Sequence, residues 1–77
     1  MSKKIKLVWD FRSFDALKTA EHQMIHLKEF MQKESVPYLS DGIQEISEMY
    51  ALCYLEVEEE HVKFLRDRLK PHRGLAS

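Results

Sequence analysis

Apolar and polar residues alternate over residues 4–11: Ile5, Leu7, Trp9 and Phe11 fall on one face, Lys4, Lys6 and Asp10 on the other. A period of two predicts a half-buried strand. Val8 departs from the pattern as an apolar residue on the polar face. The period then lengthens. Ala16, Leu17, Ala20, Met24, Leu27 and Met31 recur at three- and four-residue steps, a core-facing helical stripe. Ser13 offers an N-cap, Asp15 suits the positive end of the dipole, and the helix is expected to run to about Glu34. Thr19, His22, His26 and Phe30 lie along one flank of it, and Ile25 points nearly opposite the core.

Residues 35–42 read as a loop punctuated by Pro37 and the Asp41-Gly42 pair. Residues 43–57 fit two periods. Read as strands, Ala51, Cys53, Leu55 and Val57 share one face and Leu52 and Tyr54 the other, giving a hairpin of about 43–48 and 50–57. Read as a helix, Ile43, Ile46, Tyr50, Cys53 and Val57 also fit, with Asp41 as cap and Gln44 at its third position. The hairpin is preferred, because the first strand needs a pairing partner for its backbone groups. A second helix is expected to start at Glu58-Glu59-Glu60 and to end with Arg66, Arg68 and Lys70, the charge order a helix dipole favours. Val62, Leu65 and Leu69 form its core stripe, Phe64 points away, and Pro71 stops it, leaving 71–77 as an irregular tail.

The expected order is therefore strand, helix, strand, strand, helix. It resembles a ferredoxin-like fold lacking its last strand. That resemblance rests on element order and implies an α+β domain, βαββα: a three-stranded antiparallel sheet with two helices on one face and the third strand between the first two.

For a chain of 77 residues one domain is expected. Such a chain buries only about 60% of the surface its unfolded form exposes, so disulfides, metals or oligomerisation often supplement its core. Cys53 is the only cysteine, which excludes an internal disulfide and any CxxC site. The net charge of −1 gives no general reason to expect nucleic acid or acidic membrane as a partner. With no apolar signal core and no long apolar run, a cytoplasmic chain that does not enter membranes is expected.

Candidate chemistry is sparse. His22, His26 and Glu29 share one helical stripe and could ligate Zn²⁺ or Ni²⁺, with His61 or His72 as completing ligands if folding or a partner chain brings them near. The competing reading is a solvated flank, with Glu29 paired to Lys33 one turn on. Cys53, between Leu52 and Tyr54, reads as an inert core thiol. The cations Arg66, Arg68, Lys70, His72 and Arg73 read as a favoured helix end rather than a phosphate site, because Asp67 interrupts them and no glycine-rich loop accompanies them. Trp9 and Phe11 read as core rather than a stacking platform.

Assembly is the firmer functional expectation. Helices on one face leave the other face of the sheet open, and Val8, Leu52 and Tyr54 project onto it. The first strand is expected at an edge, and Ile25 and Phe64 add apolar groups on the outer helix surfaces. A small binding or interaction domain forming a homo-oligomer, a two-fold dimer above all, is expected, and a catalyst is not. The alternative is a metal-binding protein or small metal-dependent enzyme using His22, His26 and Glu29.

Overall fold

A computed structural model describes residues 3–76. The chain forms β1 (Lys4–Arg12), α1 (Ala16–Lys33), β2 (Ser40–Ser47), β3 (Tyr50–Glu58), a 3₁₀ turn (Glu59–His61), α2 (Val62–Leu69) and β4 (Arg73–Ala76). The fold is α+β, with one four-stranded sheet in the order β2-β3-β1-β4 and every neighbouring pair antiparallel. Among the described residues no helix is long and apolar enough to cross a membrane.

The hairpin reading of residues 43–57 holds, and its second strand lies between the other two strands of the expected sheet. The count of three strands does not hold. Residues 73–76 are a fourth strand, not an irregular tail: Ala76 pairs with Ile5 and Arg73 with Val8. Consequently β1 is an interior strand rather than an edge.

Parity fixes the two faces. Ile5, Leu7, Trp9 and Phe11 lie beside Val57, Leu55, Cys53 and Ala51 on one face. These residues meet Ala16, Ala20, Met24, Leu27 and Met31 of α1, and Val62, Leu65 and Leu69 of α2, in a single core, so both helices cover the same face. Full burial of each large side chain in such a core is worth about 1.5–3 kcal/mol. Leu17 departs from the expected stripe and is 37% exposed. The indole N–H of Trp9 donates to the Leu69 carbonyl at 3.0 Å, so the core's one indole also satisfies the carbonyl end of α2.

Element ends differ from the expected ones for local reasons. Asp15, not Ser13, occupies the N-cap of α1; the Ser13 hydroxyl donates to the Asp15 carboxylate at 2.8 Å instead. After α1 the Ser35 N–H reaches the Gln32 carbonyl and the Val36 N–H the Met31 carbonyl, a Schellman closure with Ser35 in the left-handed region at φ 54°. Strand β2 begins at Ser40, so Asp41-Gly42 lies within a strand rather than a loop. Glu58 ends β3, and Glu59-Glu60-His61 form a 3₁₀ turn before α2 begins at Val62. Lys70 closes α2 at φ 48°, its N–H donating to the Arg66 carbonyl at 3.0 Å.

Candidate functional site: the open face of the sheet

The face away from the helices carries Lys6, Val8, Asp10 and Arg12 from β1, Tyr50, Leu52, Tyr54 and Glu56 from β3, Ser40, Gly42 and Gln44 from β2, and Arg73 and Leu75 from β4. Pairing in register brings these residues from four strands into one field with a polar end and an apolar end.

The polar end centres on Asp10. Its carboxylate accepts two hydrogen bonds from the Arg73 guanidinium, at 2.9 and 3.0 Å, and one from the Tyr50 hydroxyl at 2.5 Å. Arg73 also donates to the Tyr50 oxygen at 3.3 Å, and the Arg12 guanidinium lies 4.0 Å from the centre of the Tyr50 ring. Bonding to Arg73, with lesser help from Tyr50, holds the Asp10 carboxyl below its ordinary range against the opposing effect of burial. Donation to Asp10 holds the Tyr50 phenol above its ordinary value. The backbone N–H of Asp10 donates to Nδ1 of His72 at 2.8 Å, while the His72 N–H donates to the Val8 carbonyl at 2.9 Å. An imidazole thus continues the β1–β4 ladder one step beyond β4, as the tautomer with its hydrogen on Nε2.

The apolar end has Val8 and Leu52 as its floor. Both are already buried within the single chain, at 2% and 8% exposure. The Tyr54 ring lies on Gly42, where a Cβ would stand 2.6 Å from ring atoms, and Lys6 Nζ is 4.6 Å from the ring centre. Tyr54, Lys6, Gln44, Arg73 and Leu75 surround a depression of about 220 Å³ over this floor.

The five residues expected at an interface divide between two sides of the molecule. Val8, Leu52 and Tyr54 are on the open face. Ile25 and Phe64 are in the helix layer; Ile25 is exposed, and the Phe64 ring stacks on Phe30 with centroids 6.1 Å apart. His22, His26 and Glu29 are all exposed on α1, and among the described residues no group of three His, Cys, Asp or Glu side chains could hold a metal ion. Cys53 is fully buried on the core face, and burial pushes its thiol up to about 12. The basic residues after 65 separate: Arg68 stands over Phe64, while Arg73 belongs to Asp10.

Sequence reading missed the Asp10–Tyr50–Arg73 cluster and Leu75. Asp10 was visible on the polar face, but Arg73 and Leu75 join it only through β4. Comparison of the chain with protein-family models, with curated proteins and with solved structures finds no match in any of the three.

Proposed function

We propose that the chain is a small binding and interaction domain of ferredoxin-like topology that forms a homodimer through the open face of its sheet. The strand order, the antiparallel pairing and the placement of both helices on one side support that topology. The observation that carries the function is the depression over Val8 and Leu52: an apolar floor at the centre of a face that no helix covers. Two copies related by a two-fold axis bring two such depressions together, so that Tyr54 and Leu75 of one copy enter the other.

Binding suits this face better than proton-transfer catalysis does. A general acid or base works best with a value near the operating pH. Asp10 and Tyr50 are each moved further from neutrality by their mutual bond and, for Asp10, by Arg73.

Leu75 gives the cleanest test. It is 44% exposed on an edge strand, so Leu75→Asp leaves the core intact, whereas Leu52→Asp also disturbs the fold. Sedimentation at micromolar concentration is expected to give a dimer for the natural chain, a monomer for Leu75→Asp, and a dimer for the control Lys18→Glu. A monomeric natural chain, or a Leu75→Asp variant that sediments as the natural chain does, removes the proposal.

A further inference from the structure

Strand β2 is the long free edge of the sheet: eight residues, seven of them in register with β3 on one side and, among the described residues, with no strand on the other. An unpaired edge offers a row of backbone donors and acceptors to any extended chain. What surrounds the edge decides which chain fits.

On the helix side of β2 stand Asp41, Ile43 and Glu45, set by their pairing with Leu55, Cys53 and Ala51. Above them runs one flank of α1. The Lys28–Asp41 ion pair, at 3.5 Å, identifies that flank as the one nearest β2. Helical spacing from Lys28 places Glu21 and Leu17 along it, with Ile25 at its outer rim. Leu17, Ile25 and Ile43 are 37%, 56% and 37% exposed. The result is a shelf, with β2 as its inner border and the flank of α1 as its roof. Its carboxylates are Glu21, Glu45 and, at the hairpin turn, Glu48; among the described residues none of these three has an ion-pair partner. The one cation identified on this flank, Lys28, already faces Asp41.

We infer that β2 accepts an added strand from a partner whose side chains read cation–apolar–cation at every second position. The apolar residue covers Ile43, one cation meets Glu45 across the strand pair, and the other joins Lys28 at Asp41.

A second copy of this chain does not fit. A two-fold axis normal to the sheet keeps both helix layers on one side, and then opposing residue numbers must sum to an even value. The register that sets Ile43 against Ile43 sets Asp41 against Glu45. Moving it by one residue either way sets Ile43 against Glu45 or against Asp41. Every centred register therefore opposes carboxylate to carboxylate or carboxylate to isoleucine, and like charges directly across a strand pair are destabilising. Ile43 and Gln44 of β2 also border the open-face depression, but Leu75 stands across it on β4 at the opposite edge of the sheet, so Leu75→Asp probes the dimer without altering this edge.

The test uses the capped peptide Thr-Lys-Thr-Val-Thr-Lys-Thr, which presents lysine, valine and lysine on one face. Amide shifts of the isotope-labelled full-length protein are followed as the peptide is added. Perturbation is expected to concentrate in β2 and on Leu17, Glu21 and Ile25, with slowed hydrogen exchange in β2. The same peptide with glutamate for lysine is expected to bind at least about tenfold more weakly, as is the lysine peptide toward a Glu45→Lys/Glu48→Lys variant. A peptide N-methylated at every second residue, on the edge that faces β2, is expected to lose binding, which separates strand addition from attraction between charges. Leu75→Asp is expected to leave the titration unchanged. Absence of binding at about 1 mM peptide, equal binding of the lysine and glutamate forms, shifts confined to the open face, or protection of β2 by self-association without peptide would each overturn the inference. The variant's own amide spectrum establishes that it is folded, and Ile43→Thr, which keeps every charge, is expected to weaken binding as a second probe of the same contact.

Discussion

A methyl group has opposite consequences at the two glycines of this chain. Neither adopts positive φ, so backbone strain does not enter and the surroundings alone decide. At Gly42 an added Cβ would meet the Tyr54 ring at 2.6 Å, while at Gly74 it would meet methyl groups of Ile5 and Leu7 at 3.6 and 3.8 Å, ordinary contact distances. Gly42→Ala is expected to destabilise by about 1–3 kcal/mol, the range for overpacking. Gly74→Ala is expected to stabilise by about 0.4–1 kcal/mol, through lost freedom of the unfolded chain and added contact. Urea midpoints measure both, and in a Tyr54→Ala background the penalty at Gly42 is expected to vanish, because the two positions share one volume. A second residue-level expectation concerns acid. The carboxyl of Asp10 is held below its ordinary value of 3.8, chiefly by Arg73. As pH falls through that range the unfolded chain takes up the proton first, so the stability Asp10 contributes is present above it and lost on acidification through the folded value. Asp10→Asn is therefore expected to lower stability near neutrality and to flatten the acid limb at and below the ordinary carboxylate range, read from urea midpoints across a pH series. An acid limb unchanged in Asp10→Asn would mean that Arg73 does not distinguish the charged from the neutral carboxyl.

At the scale of elements, the end of α1 supplies a sharp case. Its Schellman closure requires a left-handed residue at the position after the cap, and the chain places Ser35 there at φ 54°. Left-handed backbone costs a residue with a Cβ roughly 1–2 kcal/mol, part of which glycine loses again as conformational entropy. Ser35→Gly is expected to raise stability by about 0.5–1 kcal/mol and the thermal midpoint by a few degrees, on the order of 4–8 °C per kcal/mol for a domain this small. Ser35→Val, β-branched, is expected to lower both. The elements legible in the sequence were those whose burial is one-sided. In β1 and β3 each residue facing the helices is apolar, and α1 buries Ala20, Met24, Leu27 and Met31 at helical spacing. The start of β2 carried no such pattern, because Ser40, Asp41 and Gly42 are set by their pairing with Glu56, Leu55 and Tyr54 rather than by entering the core. Strand β4 carried none either: its four residues, Arg73–Ala76, are all exposed, and what holds them is the ladder to β1 and the Arg73–Asp10 bond. The site inherited this division. Val8, Leu52 and Tyr54 were legible on the open face by parity alone, whereas the Asp10 cluster waits on a strand that only tertiary pairing creates.

At the scale of the whole molecule, β4 converts a strand edge into an interior. Without it, β1 would present the outer backbone of Ile5 to Val8 to solvent, in a run rich in β-forming residues. Asp10 would also lose both Arg73 and the His72 imidazole, leaving a carboxylate with Tyr50 as its only remaining hydrogen-bond partner named at this cluster. Total stability for a chain this long is about 4–12 kcal/mol at the usual 0.05–0.15 kcal/mol per residue, so the loss of one strand is a large fraction of it. A chain ending at Pro71 is therefore expected to unfold at markedly lower urea than the natural chain and to associate irreversibly as concentration rises, with thioflavin fluorescence reporting strand-to-strand growth from the exposed edge of β1. Arg73→Ala within the full-length chain separates the two contributions, since it removes the ion pair and keeps the ladder. It is expected to lower the midpoint without promoting association. If the shortened chain stays as stable and as dispersed as the natural one, β4 is a passive extension and β1 tolerates its own edge. If Arg73→Ala alone reproduces the aggregation, the bond to Asp10 rather than the backbone ladder is what keeps β4 in place.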